Sequence, residues 1–134
     1  MIEPLGFRLN EKELKRAGLD YWKDLDVTVY DSYDDFLEKN SGAKIYMATT
    51  KALNVYSDVT YEPDSFIMFG KESGGIPEEI LLSNKENAIR IPMNQDIRSL
   101  NLSNSVAIVL YEALRQNNFT NMELQGQLHR YTWN

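Results

Sequence analysis

Ile89-Arg90-Ile91-Pro92-Met93-Asn94-Gln95-Asp96-Ile97-Arg98-Ser99-Leu100-Asn101-Leu102-Ser103-Asn104-Ser105 runs straight into Val106-Ala107-Ile108-Val109-Leu110. Ala88 to Ile91 reads as a strand, and Pro92, which lacks an N–H for the ladder, closes it. From Ser103 to Asn117, Val106, Val109, Leu110, Ala113 and Leu114 recur with a period of about 3.6, the mark of an amphipathic helix. The polar residues between them sit after a strand and before a helix N-terminus, where unpaired N–H groups can hold ligand oxygens. Ser103 by itself fits a helix cap. Arg98, Asn101 and Asn104 together exceed what a cap requires.

Upstream, strands and helices alternate. Lys44 to Ala48 and Asp26 to Tyr30 are β-branched or aromatic segments of strand length, and Tyr33 to Glu38 between them is a short helix with Phe36 and Leu37 inward. Phe66-Ile67-Met68-Phe69 is a continuous apolar run, the pattern of a strand covered on both faces of a parallel sheet. Ile80 to Leu82 falls in a short helix after Pro77. Met1-Ile2-Glu3-Pro4-Leu5 reads as the end of a strand. Asn10, Glu13, Leu14, Ala17 and Gly18 mark a helix over about 11–17 whose polar side gathers Lys12, Lys15 and Arg16. From Thr120 onward the apolar residues are too irregular for a helix. This order predicts an α/β fold, a mostly parallel sheet flanked by helices, in one domain over residues 1–134.

A second segment is rich in glycine. Phe69-Gly70-Lys71-Glu72-Ser73-Gly74-Gly75-Ile76-Pro77 follows the apolar strand, where a ligand in an open parallel sheet binds. It matches neither G-x-G-x-x-G nor G-x-x-x-x-G-K-[ST], so the usual grounds for NAD or ATP are absent. By itself the loop fits a tight turn as well as a binding site.

Composition narrows the chemistry. There is no cysteine and one histidine, His129, in 134 residues, so disulfides, thiolate nucleophiles and thiolate metal sites are excluded and no metal is expected. No run approaches the roughly 18 apolar residues of a membrane span, and no basic-then-apolar leader opens the sequence; a cytosolic address and no membrane partner follow as expectations. The net charge of −6 argues against general polyanion binding, so any RNA site has to be a local basic patch.

The pair F-G-x-E-x-x-G-x-P at 69–77 and I-R-I-P-M-x-x-x-x-R-S-L-N-L-S-N-S-V-A-I-x-x-Y-E at 89–112 resembles the second and third motifs of the SpoU branch of SPOUT methyltransferases. E-P-L-G-F at 3–7 and R-A-G-L-D-Y-W at 16–22 look like the tRNA (cytidine/uridine-34) 2′-O-methyltransferases within it. The resemblance implies a C-terminal trefoil knot, a rare exception to unthreaded connections. It also implies an S-adenosylmethionine pocket made by Ala48, Thr49 and Thr50, by Gly70 and Glu72, and by Ile91, Ser99 and Leu100. The substrate would be a tRNA ribose 2′-hydroxyl at the wobble position, bound by a homodimer. Lys12, Lys15, Arg16, Lys51, Arg90 and Tyr111 are the candidates for RNA contact. Arg90 and Arg98 fit ion pairs with Glu72 or Asp96 equally well, and Glu112 reads as a surface acid.

In that branch the proton acceptor is an arginine in an N-terminal motif, N-x-G-x-x-x-R, which these residues do not contain. The expectation is that the domain is N-terminally incomplete relative to the family, lacking a first strand and helix, with Arg98 as the tentative catalytic residue. The alternative is a non-catalytic module of the same fold that binds cofactor or RNA. A small-molecule Rossmann-like enzyme is disfavoured by the absence of both glycine fingerprints.

Overall fold

Ile45-Tyr46-Met47 places three large apolar side chains in succession, which an extended chain throws to alternate sides. In the computed structural model, which describes residues 1–5, 12 and 24–133, all three are buried. Ile45 and Met47 pack with Phe36, Ile76, Leu81 and Ala88 on one side of the sheet, whereas Tyr46 packs with Tyr61, Ile89 and Val109 on the other.

Strand β1 (Ile45–Ala48) is therefore central. It pairs in parallel with β3 (Phe66–Phe69) on one side and with β4 (Ala88–Arg90) on the other, and β4 pairs with the short β2 (Asn54–Val55). The order is β2-β4-β1-β3, and every pairing is parallel. Helices α1 (Tyr33–Lys39) and α2 (Glu78–Ser83) contribute Phe36 and Leu81 to the first core cluster, and α3 (Leu102–Gln116) contributes Val109 to the second. Helices thus flank the parallel sheet on both faces, the α/β arrangement expected.

Several local expectations are corrected. Leu37 is 38% exposed, because it lies about 100° around α1 from Phe36, whose ring meets Tyr30 and Phe66 edge-on. Phe66 is 39% exposed: β3 is the outer strand of the described sheet, and the strand covered on both faces is β1. Asp26 to Tyr30 contributes a single bridge, Ile2 to Tyr30, since Met1 to Glu3 is the segment hydrogen-bonded to it. The cap of α3 is Asn101, whose Oδ1 accepts from the Ser103 amide at 2.9 Å, so the helix begins one residue earlier than read. Strand β2 was not anticipated; two residues carry no periodicity. The helix expected over 11–17 lies outside the described residues, Lys12 excepted.

The C-terminal end of α3 is stapled to the loop before β3. Gln116 donates to the Val59 carbonyl at 3.0 Å and accepts from the Tyr61 amide at 2.9 Å, and Asn117 donates to the Tyr61 carbonyl at 3.2 Å. Glu112 orients this group. Its carboxylate accepts two bonds from Arg115 and one from Gln116, which hold its pKa down at about 2. With its side chain 12% exposed, Glu112 is a partly covered organiser and not the surface acid read from the sequence.

A depressed carboxyl pKa contributes stability that is fully present above the ordinary value of 4.5 and is lost as pH falls through about 2. The difference in urea midpoint between the wild type and Glu112→Gln should therefore stay constant above about pH 5 and shrink below it. A difference that is the same at about pH 6 and about pH 2.5 contradicts this role.

Candidate functional site

Parallel strands bring their carboxyl ends to one edge of the sheet, so the residues that follow β1, β3 and β4 are neighbours in space though far apart in sequence. Thr49 follows β1 and donates its amide to the Ile89 carbonyl at 2.9 Å, tying the first of these loops to β4. Together the loops and the first two turns of α3 enclose a cavity of about 500 Å3.

All eight residues expected from the sequence at one pocket stand on its wall. Ala48, Thr49 and Thr50 come from the end of β1, Gly70 and Glu72 from the glycine loop, and Ile91, Ser99 and Leu100 from the segment after β4. Residues beyond those eight line it too. Asn101, the cap of α3, lines it with Ser105 and Val109, which lie four apart on the helix and share a face, and Lys71, Ile76 and Met93 add to the wall. The spacing of 105 and 109 was legible as a helix face, but that this face borders the cavity was not.

The glycine loop is shaped by contact with itself. A Cβ on Gly70 would lie 2.4 Å from the Gly75 carbonyl carbon, so only glycine permits this approach. Gly75 has φ of +69°, in the left-handed region, and its amide closes the turn by donating to the Lys71 carbonyl at 2.9 Å. The loop consequently presents backbone to the cavity.

Arg98 is exposed and is not among the cavity-lining residues. Neither Arg98 nor Arg90 pairs with Glu72 or Asp96; the described ion pairs lie elsewhere. Arg90 ends β4, half-buried, with its carbonyl accepting from the Tyr56 amide. Lys51 lines the cavity and forms an ion pair with Glu78. Tyr111 is exposed on α3 and Lys12 is exposed; Lys15 and Arg16 lie outside the described residues. The structure thus joins the eight pocket residues and Lys51, and leaves Arg98, Arg90 and Tyr111 off the cavity wall. Among the described residues no helix is long and apolar enough to cross a membrane, and no three potential ligands cluster to hold a metal.

Residues 1–111 match the family pattern described as SpoU rRNA Methylase family. The tRNA (cytidine(34)-2'-O)-methyltransferase of Escherichia coli (strain K12) is 45% identical over 117 residues, covering 87% of this chain and 74% of its own length. A Listeria monocytogenes (serotype 4b, strain F2365) protein bearing that name provisionally is 53% identical over 122 residues, covering 89% of this chain and 72% of its own. A solved structure from work on the 2-OH methylation of C/U34 on tRNA superposes with a TM-score of 0.79 at 39% identity, covering 88% of this chain and 77% of that one.

Replacing Gly70 with alanine should force the Lys71 to Gly75 turn apart. The Gly75 amide is then expected to exchange with solvent at close to the open-chain rate, measured by NMR hydrogen exchange. Unchanged protection would mean that the close approach of Gly70 to Gly75 does not hold the loop.

Proposed function

The chain belongs to the SpoU rRNA Methylase family, and on that premise we propose that it methylates a ribose 2′-hydroxyl of tRNA at wobble position 34, using S-adenosylmethionine. The observation that carries this reading is the single cavity walled by the loops after β1 and β3 and by the segment leading from β4 into α3. The residues present fit the cofactor. The volume of about 500 Å3 lies in the range of small-molecule sites. Ile91, Met93 and Leu100, partly open on the wall, supply apolar surface for a flat adenine ring, and the glycine loop supplies backbone polar groups.

When bound, the cofactor supplies a methyl group already activated on a sulfonium sulfur. What remains for the chain is to hold the ribose in line, exclude water and accept the hydroxyl proton. Positioning of this kind supplies a large share of rate acceleration. Lys12, Lys15, Arg16, Lys51, Arg90 and Tyr111 are proposed to guide the RNA strand, and Arg98 is the first residue to test as the proton acceptor.

An apolar hollow of about 700 Å3 lies between Met1–Leu5 and β3, lined by Ile2, Leu5, Tyr30, Phe36, Phe66 and Met68. Among the described strands β3 is hydrogen-bonded to β1 alone, and Met1 to Glu3 is bonded to Tyr30. A C-terminal trefoil knot and a cytosolic address belong to the methyl-transfer reading. A methyl-transfer assay on tRNA tests it, comparing this chain with a form carrying the family's N-terminal segment. This chain is expected to bind cofactor and transfer methyl slowly, since general-base help is worth about 10²–10⁴ in rate. Equal rates would place the base within these 134 residues. No transfer by either form favours the non-catalytic module, for which the position of Arg98 off the cavity wall already speaks.

The proposed homodimer is assembled through α3 and the tail. Leu110, Tyr111, Tyr131 and Trp133 are all exposed, more apolar surface than one short helix and tail ordinarily leave to water. Sedimentation at micromolar concentration should give the mass of two chains; a monomer alone rejects this assembly.

A further inference from the structure

Lys51 does not extend freely into solvent. It follows Thr49 and Thr50 at the end of β1, lines the cavity, and places its Nζ 2.5 Å from Oε1 of Glu78, the first residue of α2. The pair joins two segments of different origin, the loop after β1 and the helix that follows the glycine loop. Lys71, the other lysine on the cavity wall, has no such carboxylate among the described residues.

Pairs this open, 53% and 72% exposed, contribute little to stability. Their exposure has another consequence. Nothing packs Glu78 in place, so its carboxylate can swing into water when another anion takes the ammonium group. Lys51 keeps Glu78 below the usual carboxylate range, so the carboxylate is charged at neutral pH. A chain with net charge −6 repels RNA at long range, which makes each cation at the cavity mouth count.

We infer, building on the methyl-transfer reading, that Glu78 is a releasable counter-ion: Lys51 passes from the Glu78 carboxylate to a phosphate of the RNA strand that brings its ribose to the cavity. Glu78 thereby lowers the net gain from that phosphate contact, and holds the lysine at the mouth until the contact forms. Phosphate and carboxylate compete for the same ammonium group, and two anions against one cation repel, so a docked phosphate shifts Lys51 away from Glu78.

The test is tRNA binding by the full chain across about 50–200 mM salt, for the wild type, Glu78→Gln, Lys51→Gln and the double variant. Glu78→Gln should tighten binding roughly two- to fivefold, the range set by exposed ion pairs. Lys51→Gln should weaken it and lower the slope of log K against log salt by roughly 0.7–0.9, the loss of one phosphate contact. In the Lys51→Gln background the gain from Glu78→Gln should vanish. Glu79→Gln removes a neighbouring charge without touching Lys51 and measures the general effect of net charge. A gain from Glu79→Gln equal to that from Glu78→Gln, or one that survives in the double variant, overturns the exchange. So does a Glu78→Gln chain whose S-adenosylmethionine affinity shifts while RNA binding stays the same, because Lys51 then serves a carboxylate of the cofactor. A wild type that binds neither tRNA nor cofactor rejects the methyl-transfer reading and the exchange with it; one that binds both, with Glu78→Gln indistinguishable from it, rejects the exchange alone.

Discussion

The pairing of β4 with β1 is two residues long, Met47 with Ala88 and Ala48 with Ile89, and the rest of the site depends on it. It sets the Thr49 loop beside the segment after β4, and it aims Ile89 at α3 while Ala88 faces the helices on the opposite side. A slip of one residue would exchange those two faces, driving Ile89 among Phe36 and Leu81 and leaving the cavity floor to alanine. So short a ladder cannot specify its register through hydrogen bonds. Burial does so: Met47 and Ile89 are fully enclosed on opposite faces, and a shifted register would move both.

Helix α3 serves both the core and the cavity. Val109 closes the second core cluster and also lines the cavity, so packing against the sheet and shaping of the site are one contact. At its far end the helix is held by side chains acting as substitutes for backbone: Gln116 and Asn117 bond Val59 and Tyr61 as a neighbouring strand would. Glu112, pinned by Arg115, keeps Gln116 in the orientation this needs. Beneath that staple Tyr61 is enclosed, and burial pushes its phenol pKa up. The cavity floor is therefore set by interactions at both ends of one helix.

Charge is organised locally. Although the chain carries −6 overall, the carboxylates of Glu78 and Glu112 are each matched to a particular cation, one beside the cavity and one near the C-terminal end of α3. Beyond roughly 8–10 Å salt screens such charges from one another. Net charge then informs about long-range approach, and the pairs inform about docking.

The parts of the molecule legible in the sequence are those set by local physics. Period and composition gave the alternation of strands and helices, Pro77 and the Asn101 region gave helix starts, and the family resemblance gave eight residues, five of them in the two motif segments, that share one cavity wall. What was misread depended on neighbours far along the chain. Phe66 and Leu37 look like core and are partly open, because β3 is outermost in the described sheet and α1 offers Phe36 instead. Glu112 looks like a surface acid and is an organiser, because Gln116 reaches a loop more than fifty residues earlier in the chain. Lys51 was a candidate for RNA contact, and its pairing with Glu78, 27 positions away, could not be read from the sequence. The sequence by itself determined which segments become strands, helices and glycine turns, since those follow from sterics and periodicity within a few residues. Tertiary structure alone decided the order of the strands, the face of α3 that meets the cavity and the partner of each charge, because burial and Coulomb attraction act through space between residues that the chain keeps far apart.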